Sequence, residues 1–209
     1  MRNPPNPTTA CWSCGRATAQ VHFCEHCGSL QPPTGDYFQY LGLPRRLNID
    51  REDLEGRFYA LSRRLHPDVF FQRSERERQL SLDAAALLND AYRTLKHPAA
   101  RAEYLLGLEG VQKGEQKPAD VPPELLEEVF ELNMALEQIR AGDQSVRTRL
   151  IEAKQKFEDL LEAADQALEA GFTEWDRTGA REALERISVA LTRRSYVQNL
   201  LHDVNAALV

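Results

Sequence analysis

The chain lacks any long hydrophobic run, and this absence excludes one large class of proteins. No apolar stretch in its 209 residues approaches the roughly 18–20 residues needed to span a bilayer, so we expect no membrane association. Residues 1–10 carry one charge and three prolines, which is neither a secretory leader nor an arginine-rich presequence. We therefore expect a cytoplasmic protein, or one of the mitochondrial matrix if a presequence is missing from this chain.

The second half of the chain also lacks the basic charge that a nucleic-acid-binding surface needs. Residues 120–209 contain 10 basic and 18 acidic side chains, whereas residues 36–108 are almost balanced, with 12 and 11. Acidic surfaces repel phosphate backbones, so we expect no nucleic acid as a partner of this half. An acidic surface would suit a basic protein partner instead.

Three changes in composition predict the domain organisation. Residues 1–35 hold all four cysteines and five of the 11 prolines, and they end in a linker-like stretch at 31–35. Residues 36–108 have a helical pattern, and residues 109–123, rich in Gly, Lys, Gln and Pro, are expected to form a second linker. Residues 124–209 are again helical. We predict a mainly α-helical protein without a clear strand outside the cysteine region.

Two helix starts stand out in the first helical region. Asp50 is followed at the third residue by Asp53, and Ser74 by Glu77, as in capping boxes. Apolar residues then recur at helical spacing, as Leu54, Phe58, Leu61 and Leu65 after the first start and as Leu80, Ala84, Leu87, Ala91 and Leu95 after the second. This predicts an antiparallel helix pair joined by a loop at 66–73. Short helices are expected at 37–41 and from Pro98 onward.

The second helical region predicts three longer helices with short connections. The first is expected to run from Pro122–Pro123 to about Arg140, and the second from about residue 145 to 170, ending at Gly171. The last would extend from Thr173 towards the end of the chain. Short turns between long helices predict an antiparallel three-helix bundle.

The cysteines form two Cys-x-x-Cys pairs. Cys11, Cys14, Cys24 and Cys27 could supply the tetrahedral sulfur set of a structural Zn²⁺ ion, one per chain. Iron in the same four-sulfur site and two disulfide bonds are the alternatives. Four thiolates leave no open coordination position, so we predict a structural rather than a catalytic metal. We expect His22 and His26 to be surface residues and the rings of Trp12 and Phe23 to cover the cysteine turns.

The tripeptide His66-Pro67-Asp68 lies in the loop between the two predicted antiparallel helices. Proline stiffens an exposed corner, and the carboxylate of Asp68 offers an acceptor to an arginine of a partner. An enzymatic acid–base pair is one alternative, but no nucleophile or third group accompanies the two side chains. A purely structural turn is the other. We expect a binding role and no enzymatic activity.

Several motifs together resemble the HscB-type J-domain co-chaperones of iron–sulfur cluster assembly, in the form with an N-terminal four-cysteine module. They are Asp36-Tyr37-Phe38, Leu65-His66-Pro67-Asp68, Asn89-Asp90-Ala91-Tyr92-Arg93-Thr94-Leu95, His97-Pro98 and Arg101-Ala102-Glu103-Tyr104-Leu105-Leu106. The resemblance implies a J domain over residues 36–108, with His66, Pro67 and Asp68 docking on a DnaK/HscA-type chaperone and stimulating its ATPase. Arg57, Arg63 and Arg64 would attract the acidic surface of that partner.

The resemblance also implies that the C-terminal domain binds an IscU-type iron–sulfur scaffold. On its first helix, Leu126, Phe130 and Met134 form a second apolar row beside the seam expected to face the bundle core. An apolar row edged by carboxylates suits binding to an apolar patch with basic surroundings, although the row could instead cover the linker or the J domain. The positions carried over from the family are Leu126, Phe130, Glu131 and Tyr196, whereas many relatives have glutamate at Met134.

Two other functions compete with this interpretation. A general J-domain co-chaperone for other clients is one, although the loop at 69–74 lacks the lysine common in generic J domains. A zinc-containing nucleic-acid-binding protein is the other, and the acidic second half of the chain argues against it.

Overall fold

The computed structural model describes residues 8–33, 35–111 and 125–208. Within those ranges the chain is mainly α-helical, as predicted, with a single two-stranded sheet in the cysteine region. Tertiary contacts divide the chain into two compact units, Met1–Leu105 and Leu106–Val209. Most of the predicted linker 109–123 lies outside the described residues, and the predicted domain boundaries stay predictions.

The cysteine region consists of two similar turns, each closed by short antiparallel pairing. Strand β1 (Thr9–Ala10) pairs with β2 (Ala17–Thr18) around the first Cys-x-x-Cys turn. A bridge between Phe23 and Leu30 closes the second turn in the same way. Each pair of cysteines is therefore held at the tip of a small hairpin.

Three helices follow in the first unit: α1 (Tyr37–Tyr40), α2 (Arg51–Leu65) and α3 (Glu75–Lys96). A fourth, α4 (Pro98–Leu108), begins in the first unit and continues past its end at Leu105. The carboxylate of Asp50 accepts hydrogen bonds from the first-turn amides of α2, and Ser74 and Glu77 form a reciprocal capping box at the start of α3. Both predicted helix starts are therefore confirmed. The connection between α2 and α3 contains a 3₁₀ turn, Pro67–Phe70.

Helices α2 and α3 pack against each other as the predicted antiparallel pair. Leu54 and Leu65 of α2 are buried, and so are the α3 residues Leu80, Ala84, Leu88, Ala91 and Leu95. The predicted stripe on α3 included Leu87, which is only half-buried, whereas Leu88 is 2% exposed. Spacings of three and four both fit one helical face, so the sequence pattern alone does not distinguish these neighbouring leucines.

The second unit is the predicted three-helix bundle of α5 (Leu126–Arg140), α6 (Arg147–Thr178) and α7 (Arg181–Leu208). The predicted start of the first helix at Pro122–Pro123 lies outside the described residues. A 3₁₀ turn, Gln144–Val146, connects α5 to α6. The core where all three helices meet contains Leu132, Leu136, Val146, Leu150, Phe157, Val197, Leu201 and Val204.

Gly171 does not end a helix, so the predicted break between residues 170 and 173 is wrong. Helix α6 continues through Gly171 to Thr178 and ends at Gly179, which has a left-handed φ of 63°. A Cβ atom on Gly171 would lie 2.7 Å from Cγ1 of Ile187 on α7. Glycine at this position allows α6 and α7 to approach closely.

Candidate functional site

The four cysteine sulfurs converge on one point. All four Sγ atoms lie within 4.8 Å of one another, with Cys11 and Cys27 3.7 Å apart and Cys14 and Cys24 3.9 Å apart. A tetrahedral Zn²⁺ ion with Zn–S bonds of about 2.3 Å requires sulfur–sulfur edges of about 3.8 Å. Disulfide sulfurs would be about 2.05 Å apart, so the disulfide alternative is wrong for these cysteines. The four cysteines fit a tetrahedral metal ion.

The backbone of each cysteine turn is shaped to hold such an ion. Gly15 and Gly28 both have φ of 73°, and their amides donate 2.9 Å hydrogen bonds to the carbonyls of Cys11 and Cys24. The amide two residues beyond each of those cysteines approaches its Sγ atom at 3.4 Å. Amides directed at sulfur stabilise the thiolate form that a metal ion requires.

The surroundings of the cysteines change their acidity in opposite directions. Hydrogen bonds from Ser29 lower the pKa of Cys27 to about 6. Burial raises the pKa of the Cys24 thiol to about 11, because a thiolate loses hydration inside the module. A bound cation would supply the compensating positive charge that a thiolate at Cys24 needs.

The cysteine module also packs against the helical part of the same unit, which the sequence did not predict. The guanidinium of Arg64 on α2 lies 4.9 Å from the ring centre of Phe23, and that of Arg76 on α3 lies 4.5 Å from the ring of Trp12. Nε2 of His22 is 2.9 Å from the carbonyl oxygen of Tyr40. The expectation that His22 is a surface residue is therefore wrong.

His66, Pro67 and Asp68 form an exposed corner where α2 ends. The side chains of His66 and Asp68 are 55% and 90% exposed. Nδ1 of His66 accepts a hydrogen bond of 3.3 Å from the amide of Asp68, while the next residues turn inward to bury Phe70. The corner therefore presents polar groups to solvent on a short turn that the buried side chain of Phe70 holds against the protein.

The three arginines predicted near this corner have different surroundings. Arg57 forms a 2.8 Å ion pair with Asp53 and donates a 2.7 Å hydrogen bond to the carbonyl of Gly42. Arg64 lies over Phe23, as described above. Arg63 has no ion pair or side-chain hydrogen bond among the described residues. Of the three, Arg63 is the guanidinium most available to a partner.

The predicted second row of α5 is exposed. Leu126, Phe130 and Met134 are 54%, 65% and 48% exposed, whereas Leu132 and Leu136 of the same helix are buried. The three exposed side chains follow one another at intervals of four residues, so they form a strip along one face of the helix. Glu131 is exposed beside this strip.

Part of this strip borders a groove between α5 and α6. Phe130, Glu131 and Met134 line one side, and Arg149 and Lys156 of α6 line the other. Lys156 Nζ lies 2.6 Å from Oε1 of Glu128, and this hydrogen bond lowers the pKa of the Glu128 carboxyl group. The sequence pattern of α5 did not reveal the two basic residues, because they come from another helix.

Tyr196 is the predicted scaffold-binding residue on α7. It is half-buried and packs against the core of the three-helix bundle, and this burial raises the pKa of its phenol group. Tyr196 is not among the residues that line the groove between α5 and α6.

Comparisons with known proteins agree on one family. Residues 121–205 match the family model described as the HSCB C-terminal oligomerisation domain. The mouse (Mus musculus) iron–sulfur cluster co-chaperone protein HscB is 33% identical over 185 residues, which cover 85% of this chain and 76% of that protein. The chain belongs to the HscB co-chaperone family.

Solved structures of HscB proteins have the same fold. The crystal structure of human co-chaperone protein HscB matches with a TM-score of 0.70 and 29% identity, covering 95% of this chain and 98% of that one. Chaperone HscB from Vibrio cholerae matches with a TM-score of 0.64 and 30% identity, covering 82% and 96%. The resemblance found in the sequence motifs is thereby confirmed.

Family membership identifies the chain as an HscB-type co-chaperone of iron–sulfur cluster assembly, with four cysteines positioned for metal binding. None of the helices in the described ranges is long and apolar enough to cross a membrane.

Proposed function

We propose that the chain delivers an IscU-type iron–sulfur scaffold to a DnaK/HscA-type chaperone and stimulates the ATPase of that chaperone. The observation that carries this proposal is the exposed corner of His66, Pro67 and Asp68 in a member of a co-chaperone family. A short turn anchored by the buried Phe70 loses little conformational entropy on docking, which favours binding. The carboxylate of Asp68 is 90% exposed and lies 3.4 Å from Nδ1 of His66 through Oδ2 only, so it still offers acceptors that suit an arginine of the chaperone.

Basic residues beside the corner add to this docking surface. Arg63 is exposed at the end of α2 and is available for long-range attraction to an acidic chaperone surface. Arg57 and Arg64 contribute positive potential from fixed positions, because both are held by contacts within the first unit.

The scaffold is proposed to bind the exposed strip of α5. Leu126, Phe130 and Met134 supply apolar contacts, and Glu131 supplies a negative charge for basic groups around an apolar patch of the scaffold. The flexible thioether of Met134 can adapt its shape to an apolar partner. Tyr196 contributes from α7 only through the part of its side chain that remains accessible.

The cysteine module is proposed to hold one structural Zn²⁺ ion. Its four thiolates would fill a tetrahedral shell and leave no position for a substrate or a reacting water molecule. The chain therefore acts by binding its partners and carries out no reaction itself. The proposed compartment is the cytoplasm, or the mitochondrial matrix if a presequence precedes this chain.

ATPase stimulation tests the proposal directly. A DnaK/HscA-type chaperone from the same organism is assayed with the wild-type chain, with His66→Gln and with His202→Gln as a matched control on the exposed face of α7. We expect the wild type and His202→Gln to stimulate equally and His66→Gln to lose stimulation while keeping its fold. Full stimulation by a folded His66→Gln variant would overturn the proposed role of the corner.

A further inference from the structure

A groove runs between the cysteine module and the helical part of the first unit. It has a volume of about 570 Å³. Phe23, Gly28 and Ser29 of the module line one wall, and Arg63, Val69 and Arg73 are among the residues of the other. The groove is therefore built by two parts of the chain that are far apart in the sequence.

The helical wall of this groove is predominantly positive. It carries the three guanidinium groups of Arg63, Arg64 and Arg73 against the carboxylate of Glu77, while the sulfur of Cys27 lies on the module wall. The carboxylate of Glu77 accepts hydrogen bonds from the backbone amide and the hydroxyl of Ser74 and, among the described residues, forms no ion pair with the three arginines. Within the described ranges, the guanidinium groups of Arg63 and Arg73 have no ion pair. The groove thus offers two unpaired cations to a negatively charged occupant.

The groove is also partly apolar, and it continues from the proposed chaperone-docking corner. Val69 is 57% exposed and Phe70 forms part of the lining, and both follow Asp68 in the same 3₁₀ turn. A partner seated on His66 and Asp68 would extend directly into this groove. Apolar side chains beside the arginines favour a protein segment over a nucleic-acid backbone, which would need a longer basic track.

The module wall is held firmly in position. Arg64 and Arg76 stack on Phe23 and Trp12, and His22 contacts the carbonyl of Tyr40. These contacts join the two parts at three separate points, so the width of the groove depends on the folded module. A bound metal ion would keep that module folded.

We infer that the cysteine module is a second element that contacts the chaperone. An acidic, partly apolar segment of the ATPase chaperone binds in the groove, next to Ser29 of the module. The role of the groove rests on the proposed function, because its occupant belongs to the same chaperone that docks on His66. The module therefore contributes to affinity for the chaperone, whereas the His66 corner triggers hydrolysis.

A charge introduced on the module side of the groove tests this inference. Ser29→Glu places a negative charge in the groove, and Ser13→Glu makes the same change at an exposed position of the other cysteine turn, outside the groove. Stimulation of the chaperone ATPase is titrated with each full-length variant, and zinc content is measured in parallel. We expect Ser29→Glu to raise the half-maximal concentration about tenfold, which corresponds to about 1.4 kcal/mol, without lowering the maximum. Ser13→Glu should match the wild type.

A third variant separates charge from effects on the metal site. Ser29→Ala removes the hydroxyl near Cys27 without adding charge. It therefore measures how much affinity for the chaperone is lost through a change in the cysteine turn alone. Equal losses in Ser29→Ala and Ser29→Glu would overturn the inference, and so would a normal titration of Ser29→Glu. Either result would leave the proposed function standing as long as the wild type stimulates and His66→Gln does not. If the wild type does not stimulate, the proposed function itself fails.

The salt dependence gives an independent readout. Exposed charges separated by more than about 8 Å are largely screened at physiological ionic strength, so the deficit of Ser29→Glu should shrink as salt rises. Arg73→Glu, on the opposite wall, should show the same behaviour. A deficit that does not change with salt would show that attraction to an acidic segment is not its cause.

Discussion

The hydroxyl of Ser81 on α3 donates a buried hydrogen bond of 2.7 Å to the main-chain carbonyl of Leu65, the last residue of α2. The last carbonyls of a helix have no partner within the helix, and this one has no access to water because Leu65 is fully buried. Ser81 therefore supplies the missing hydrogen-bond donor for a carbonyl at the end of α2, one residue before His66. The proposed docking corner is positioned by a side chain that is 16 residues away in the sequence.

Replacing this hydroxyl should destabilise the first unit. Ser81→Ala leaves the buried carbonyl of Leu65 without a donor, which should lower the free energy of unfolding by about 1–3 kcal/mol. Chemical denaturation of the purified variant measures the loss. Ser62→Ala on α2 is a control, because no hydrogen bond of the Ser62 side chain is found in the described part of the chain. That control should change stability by less than about 0.5 kcal/mol, and equal effects of the two variants would contradict the role of Ser81.

Gly171 provides a second prediction on stability. Alanine is intrinsically favoured over glycine within a helix by about 1 kcal/mol, yet a Cβ here would collide with Ile187 on α7. Gly171→Ala should therefore destabilise the bundle, by about 1–3 kcal/mol, as overpacked cores usually do. Gly56→Ala on α2 is the control, since nothing lies within 4 Å of a Cβ at that position. Thermal melts should show a lower midpoint for the first variant and an unchanged or higher one for the second.

Local signals allowed most of the fold to be predicted from the sequence. Asp50 and Ser74 each satisfy amides within three residues, so a short stretch of sequence is enough to identify both helix starts. Cys-x-x-Cys spacing likewise indicates which sulfurs converge. The turn at His66 follows from the end of one apolar stripe and the start of the next.

Features that depend on distant parts of the chain could not be predicted. Gly171 was interpreted as a helix end, because glycine often ends helices and the sequence does not reveal the approach of Ile187. His22 was interpreted as a surface residue for the same reason, since its partner is the carbonyl of Tyr40. The contacts of Arg64 and Arg76 with aromatic rings of the module also join residues that lie far apart in the sequence.

The exposed strip of α5 gives a third prediction, on scaffold binding. The double variant Leu126→Ala with Phe130→Ala should lower affinity for an IscU-type scaffold about thirtyfold, which corresponds to about 2 kcal/mol. Both side chains are more than half exposed, so their loss should cost under about 1 kcal/mol of stability. Binding titrations and thermal melts of the same preparation separate the two effects. ATPase stimulation by the His66 corner, without the scaffold, should be unchanged.

A core variant of the same helix provides the comparison. Leu132 is 2% exposed in the bundle core, so Leu132→Ala should cost about 2–5 kcal/mol of stability. Its scaffold affinity, measured below its melting temperature, should remain close to that of the wild type. A large loss of stability with normal affinity in the Leu126 and Phe130 variant would show that this strip packs within the protein and is not the scaffold site.

The last prediction concerns the metal ion. Elemental analysis of the purified chain should find about one zinc per molecule, because four sulfurs at tetrahedral distances suit Zn²⁺ and leave room for only one ion. Iron in the same site would instead give a coloured protein and iron in the same ratio. Cys11→Ser should lose the ion. Removal of the metal should abolish amide protection near residues 1–35 in hydrogen exchange, because the module contains only two-residue strands and a small core.

The helices of the first unit should survive that loss. Leu54, Leu65, Leu88 and Leu95 are at most 2% exposed and belong to α2 and α3, so their packing does not require the module to be folded. Far-UV circular dichroism of the metal-free chain should therefore remain close to that of the metal-bound chain. A large loss of helical signal on chelation would contradict this, and it would mean that the contacts of Arg64 and Arg76 with the module also hold α2 and α3 together.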